Sequence, residues 1–171
     1  MEIVNKNNIS ISNDDIKNMF EIYYGNLPET KKNNMQITKE EMAKELVQSN
    51  NLLCSMFYDN GKLIGYIIMY LREDENFIRE FEIVKEYQHD GKTFINMIKM
   101  ALPYTDIRKK YTGIIYNDNY NAKMAFKRVG ALIKDKKYVC TYDNLIKCLN
   151  VESDFFKKDR WDSMFQFTLL G

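Results

Sequence analysis

The spacing of apolar side chains changes period several times along the chain, and each change marks an element. Residues 2 to 11 are expected to form a first strand. Ser12-Asn13-Asp14-Asp15 then offers an N-cap with early carboxylates, which predicts a helix through about Tyr24, stopped by Gly25 and Pro28. Thr38-Lys39-Glu40-Glu41 is a second cap, and Met42, Leu46 and Val47 share one face of the helix that follows. Leu52 to Tyr58 and Leu63 to Leu71 read as strands, and the Asp59-Asn60-Gly61 turn between them predicts a hairpin. Phe77 to Val84 reads as a third strand of this sheet, Lys92 to Ala101 as a helix and Tyr111 to Tyr116 as a strand. Asn121 to Val129 follows as a helix and Leu132 to Tyr142 as one or two strands. Helices alternating with strands in the second half imply an α/β fold, a mixed sheet covered by helices.

Composition narrows the function classes. A chain of 171 residues with 45% hydrophobic residues fits one domain with a single core. No low-complexity linker or internal repeat divides it. The 25 basic and 24 acidic side chains nearly cancel, and a net charge of +1 argues against a nucleic-acid footprint spread over the surface. Cys54, Cys140 and Cys148 are odd in number and lack metal-ligand spacing, and the sole histidine, His89, completes no zinc set with its neighbours, so no metal is expected. No apolar run approaches the roughly 18 residues that a bilayer span requires. The expectation is a cytoplasmic protein with reduced thiols and no membrane partner.

The most informative stretch runs from residue 77 to 131. An apolar strand leads into Gln88-His89-Asp90-Gly91-Lys92-Thr93, which opens an amphipathic helix, and Asn119-Tyr120-Asn121-Ala122 opens another. Amides at a helix N-terminus are donors carrying partial positive charge, and a glycine among them lets an anion approach closely, so the order strand, turn, helix points to a pyrophosphate site. Gly91-Lys92-Thr93 also looks like the tail of a P-loop. That pattern needs a glycine where this chain has Glu86, whose carboxylate would repel phosphate. By itself the loop is equally compatible with an ordinary strand-to-helix connection.

Two motifs taken together carry a resemblance. The pair Ile83-Val84 followed by Gln88-His89-Asp90-Gly91-Lys92-Thr93 resembles the acetyl-CoA loop of the GNAT (GCN5-related N-acetyltransferase) superfamily, Gln/Arg-x-x-Gly-x-Gly/Ala, with Thr93 as the one departure. Asn119, Ala122, Phe126 and Gly130 match its second signature: an Asn, an Ala three residues on, an aromatic seven on and a Gly eleven on. The resemblance covers roughly residues 50 to 142. It implies a single-domain GNAT-like fold over residues 1–150, with a mixed, mostly antiparallel sheet whose splayed strands form an acetyl-CoA cleft. It implies an acetyl-CoA-dependent N-acetyltransferase, in which a small-molecule or peptide amine attacks the thioester directly. Backbone groups of Phe81, Ile83 and Val84 are expected to pair with the pantetheine arm. The pyrophosphate is expected on the loop of Gln88, His89, Asp90, Gly91, Lys92, Thr93 and Phe94, and Asn119, Ala122 and Phe126 are expected to bind the cofactor as well.

The reaction needs a group that takes a proton from the amine, since an amine of pKa near 10 is protonated at pH 7. Strand alternation puts Ile78, Glu80, Glu82 and Val84 on one face, with Phe77, Arg79, Phe81 and Ile83 on the other. Two carboxylates thus point the same way. The family often draws its base from this strand, and Glu82 is preferred over Glu80 as nearer the cofactor end. The reaction also needs a donor for the departing thiolate, and here the chain departs from the family: the aromatic seven after Asn119, commonly a tyrosine, is Phe126. Tyr116 and Tyr120 are nearby substitutes. The same departure sustains the alternative of a catalytically weak or inactive CoA-binding or regulatory module.

Two regions stay open. The acceptor is expected between the first two helices, roughly Tyr23 to Gln36, a stretch without a decisive charge bias. Residues 151–171 crowd Phe155, Phe156, Trp161, Phe165 and Phe167 into a short extension. Such a density of aromatics is expected to be covered, by packing on the domain's own sheet, by pairing in a homodimer or by contributing to the acceptor pocket.

Overall fold

Local capping starts the fold. Ser12 and Thr38 each accept a hydrogen bond from the backbone N–H three residues on (Asp15, 3.1 Å; Glu41, 3.2 Å), and the carboxylates of those residues reach back to the cap amides, forming two capping boxes. They open α1 (Asn13–Asn26) and α3 (Lys39–Gln48); a single turn, α2 (Glu29–Lys32), lies between them after Pro28. The strands are β1 (Glu2–Lys6), β2 (Leu52–Asp59), β3 (Lys62–Leu71), β4 (Glu75–Ile83), β5 (Lys110–Ile114), β6 (Leu132–Lys134) and β7 (Lys137–Cys140). The remaining helices are α4 (Lys92–Ala101), α5 (Tyr120–Arg128) and α6 (Tyr142–Leu149). The computed structural model describes residues 1–35, 37–89, 91–116 and 119–149. The 151–171 extension therefore lies outside the described residues.

Seven strands form one sheet in the order β1-β2-β3-β4-β5-β7-β6, antiparallel at every neighbour except the parallel pair β4–β5. Asn60 and Gly61 both sit in the left-handed region (φ 48° and 77°), as the tight β2–β3 turn requires. Two apolar layers sandwich the sheet. On one face α1 and α3 bring Ile16, Met19, Met42 and Leu46 against Cys54, Met56, Tyr66 and Ile68. On the other, α4, α5 and α6 bring Phe94, Met97, Ala125, Phe126 and Leu145 against Ile67, Phe81, Ile83 and Tyr138. This is the mixed, mostly antiparallel α/β architecture expected. Among the described residues no helix is long and apolar enough to cross a membrane, and no group of three or more His, Cys, Asp or Glu side chains could hold a metal ion.

Three local expectations are corrected. The first strand ends at Lys6, because the Asn7 side chain accepts hydrogen bonds from the N–H groups of Ile9 (3.0 Å) and Ser10 (2.8 Å) and turns the chain toward α1. The chain continues past β7 into α6, whose start is tied by the Asn144 N–H to Thr141 Oγ1 (3.2 Å) and which buries Leu145 and Leu149. The simple alternation along β4 also fails. Arg79 has no counterpart in β3, where Ile68 pairs with Glu80 and Met69 with Ile78. This bulge moves Ile78 to the α4–α5 face with Phe81 and Ile83, and Phe77 to the α1–α3 face. Glu80 and Glu82 stay on one face, and Arg79 leaves the face of Phe81 and Ile83 to reach Glu45 of α3.

Candidate active site

β4 and β5 pair only from Glu75↔Lys110 to Ile78↔Gly113, and beyond that point they separate. A cleft opens there, lined by Ile78, Arg79, Glu80 and Phe81 from β4, Ile114, Ile115 and Tyr116 from β5 and beyond, and Asn119, Ala122 and Phe126 at α5. Tyr23, Ile37 and Tyr138 complete it; its empty volume, partly open to solvent, is about 700 Å³. On the opposite edge of β4 the Val84 N–H donates to the Ile64 carbonyl of β3 (2.9 Å). By the alternation of an antiparallel ladder the Glu80 and Glu82 amides turn the same way, so those of Phe81 and Ile83 face the cleft side. The Ile83 carbonyl accepts from Gln88 Nε2 (2.6 Å) and Asn26 Nδ2 (2.9 Å).

The loop after β4 brings Gly91 to the start of α4 in the left-handed region, φ 65°. A side chain at this position would be strained, which accounts for the glycine. His89 and Lys92 are exposed, and Thr93 is buried. Gln88 is buried as well and turns inward to the end of β4, so its side chain braces the loop from below. The Phe94 ring packs on Phe81 (5.0 Å between centroids) and Phe126 (5.7 Å). Asp90 lies outside the described residues. The first two residues of the second signature prove to be one contact: Asn119 Oδ1 accepts from the Ala122 N–H (3.1 Å) and caps α5.

The two carboxylates of β4 share a face and differ in surroundings. Glu80 lines the cleft, accepts from the Tyr66 hydroxyl, and has Arg79 Nη1 at 4.0 Å. Burial raises its pKa above the ordinary carboxylate range, opposed by the Tyr66 hydrogen bond and by the Arg79 charge. Glu82 is 0% exposed and is not among the cleft residues; Asn26 Nδ2 donates to its Oε2 (2.7 Å), while Oε1 has no partner. Burial first, and the neighbouring Glu80 charge second, push the Glu82 carboxyl well above its ordinary range. Arg79 is held by Glu45 (Nε to Oε1, 3.1 Å), which also accepts from the Tyr70 hydroxyl (2.6 Å).

Of the tyrosines named as thiolate donors, Tyr116 lines the mouth of the cleft, whereas Tyr120 is 73% exposed and outside it. Sequence reading missed Ile37, Arg79 and Tyr138. Tyr23 opens the stretch expected to meet the acceptor and Ile37 directly follows it, a usable signal; Tyr138 reaches the cleft only through the β5–β7 pairing, and no local signal announces it.

Solved structures share this fold. The PaiA N-acetyltransferase from Thermoplasma acidophilum, in complex with coenzyme A, matches with a TM-score of 0.64 at 14% identity over 81% of this chain and 97% of that one. This chain has the GNAT fold. Aminoglycoside 6'-acetyltransferase type Ii matches with a TM-score of 0.64 at 10% identity, covering 83% of this chain and 97% of its own. The ribosomal-protein-S18-alanine N-acetyltransferase from Escherichia coli matches at 0.58 and 12% identity, over 81% and 90%. No family model matches the sequence, and neither does any curated protein. At these identities the likeness is one of GNAT fold.

Proposed function

We propose that the chain is a CoA-dependent N-acyltransferase that moves an acetyl group from acetyl-CoA to an amine. The observation that carries this reading is the parting of β4 from β5 beyond Ile78↔Gly113, with the buried carboxylate of Glu80 lining the cleft so formed. The residues fit the cofactor: the cleft-facing amides of Phe81 and Ile83 are placed for an amide-bearing arm, and the Gly91 turn at the start of α4 for its diphosphate. The exposed Lys92 adds a cation at that turn.

Bound acyl-CoA supplies an activated carbonyl carbon: the amine nitrogen forms the new C–N bond as the C–S bond breaks, and the bond's electron pair leaves on sulfur. Glu80 takes the proton that the nitrogen loses, directly or through a water. Its raised pKa suits this work, since a base titrating nearer neutrality is a stronger proton acceptor than an ordinary carboxylate. Arg79 holds the Glu80 side chain on one flank and Tyr66 on the other. Tyr23 and Ile37 line the cleft from the α1–α3 side, which supports an acceptor pocket there.

One observation favours a second reading, a CoA-binding regulatory module: Phe126, at the position where the family commonly has a tyrosine, packs into an aromatic cluster with Phe81, Phe94 and Tyr138 and offers no proton. Calorimetry with CoA and acetyl-CoA, followed by transfer assays on a panel of amines, tests both readings. Binding with transfer is expected. Binding without transfer to any amine leaves the regulatory module, and no binding overturns both.

A further inference from the structure

Phe126 leaves the sulfur of a bound thioester without the donor that the second signature usually provides, and the structure places another hydroxyl next to it. The Phe126 ring stacks on Tyr138 of β7 at 4.5 Å between centroids and 26° between planes. Tyr138 pairs across the ladder with Gly113 of β5, which is also the last β5 residue to pair with β4. A Cβ on Gly113 would strike the Tyr138 hydroxyl oxygen and two of its ring carbons. The hydroxyl therefore lies directly over Gly113, in space that a side chain would fill, at the closed end of the cleft.

Tyr138 lines the cleft and is 3% exposed, and its hydroxyl oxygen is not among the buried side-chain atoms left without a partner, so the oxygen keeps surface although the ring is buried. A buried tyrosine whose hydroxyl keeps surface beside a ligand cleft has a donor to offer the ligand. Phe81, Phe94 and Phe126 make the wall around it apolar, which strengthens a hydrogen bond formed there.

We infer that Tyr138 is the group that hydrogen-bonds the CoA sulfur, replacing from β7 the hydroxyl that α5 lacks at Phe126. The inference rests on the acyltransferase reading. As the C–S bond breaks, the sulfur receives the electron pair and the Tyr138 O–H donates to it; the proton stays on the tyrosine oxygen, and the thiolate is later protonated by solvent. Burial, with a lesser contribution from Cys140, holds the Tyr138 hydroxyl well above its ordinary pKa, consistent with donating a hydrogen bond rather than a proton. Tyr116, at the mouth, and Tyr120, outside the cleft, are not placed for this.

Tyr138→Phe keeps the ring, its stacking and its volume, so it tests the hydroxyl alone. CoA and dethio-CoA affinities of wild type and Tyr138→Phe are measured by calorimetry from pH 6 to 10. For wild type, CoA affinity is expected to rise with pH through the thiol range, near 8.5, by about tenfold, because the thiolate is the better acceptor. Tyr138→Phe is expected to lose this rise and bind dethio-CoA as wild type does, with kcat for acyl transfer falling about 10- to 100-fold at nearly constant KM. Identical pH dependence of CoA affinity in the two proteins, or full kcat in Tyr138→Phe, overturns the assignment. If neither protein binds CoA or dethio-CoA at any pH, the acyltransferase reading falls and takes the assignment with it.

Discussion

Asn26, the last residue of α1, donates to the Glu82 carboxylate at 2.7 Å, tying the helix to the end of β4. The same amide nitrogen reaches the Ile83 carbonyl at 2.9 Å, and Gln88 Nε2 lies 3.4 Å from its oxygen. One buried side chain thus joins the first helix, the strand under the cleft and the loop expected to hold a diphosphate. Removing it leaves Glu82 and the Ile83 carbonyl short of a donor, and Asn26→Ala is expected to cost about 1–3 kcal/mol in urea unfolding. A loss below half a kcal/mol would show that the link is dispensable.

The state of Glu82 is testable through stability. Its folded pKa is raised well above the ordinary value of 4.5, so the folded chain holds this proton more tightly than the unfolded one. The stability it contributes is fully present below the unfolded value and is lost as pH rises through the folded value. Glu82→Gln removes that loss. Its unfolding free energy should exceed that of wild type at pH 8 and converge with it below about pH 4. Parallel curves across that range would mean that Glu82 is ionised in the fold.

Turnover should separate the two carboxylates. Glu80 lines the cleft and Glu82 does not, so Glu80→Gln is expected to lower kcat about 10²–10⁴-fold while CoA affinity is kept. Glu82→Gln, buried off the cleft and held by Asn26, is expected to cost less. The wild-type rate should rise with pH as Glu80 loses its proton, and this limb should vanish in Glu80→Gln. Full rate in both variants with the true acceptor would place proton removal elsewhere.

Gly91 sits at φ 65°, where a β-branched side chain is strained. Gly91→Val is expected to destabilise the chain by about 1–2 kcal/mol and to weaken CoA binding at least tenfold in calorimetry. Unchanged affinity in a folded variant would move the diphosphate off this turn.

Gly113→Ala should be costly for a reason unrelated to its own backbone, because its Cβ would meet the Tyr138 ring. A loss of about 1–3 kcal/mol in thermal unfolding is expected. In a Tyr138→Ala background the added methyl has room, and the penalty should largely disappear; an equal penalty in both backgrounds would show that the ring is not the obstacle.

Much of the fold was legible because its signals are local. The Ser12 and Thr38 caps, the Asn60-Gly61 turn and the Gly91 helix start are decided within a few residues by hydrogen bonds or left-handed backbone that few side chains satisfy. The Asn119 and Ala122 spacing belongs to this class, since it is a helix cap. The alternation that set Glu80 and Glu82 on one face also held, as both lie on the same side of the bulge.

Only the tertiary structure decided what meets at the cleft. The Arg79 bulge depends on how β4 is paired against β3, and it moved Ile78 and Phe77 to faces that the bare period of two assigns wrongly. Glu80 rather than Glu82 came to line the cleft through the packing of α1 and α3, which seals Glu82 against Asn26. Tyr138 reached the closed end through a strand pairing with Gly113, while Tyr120, inside the motif, was left in solvent. Caps and turns are satisfied by a chain's own neighbours, so composition and spacing determine them. A site assembled from five elements depends on which strands part and which side chains fill the gap, and that is settled only when the whole sheet and both helical layers close on it.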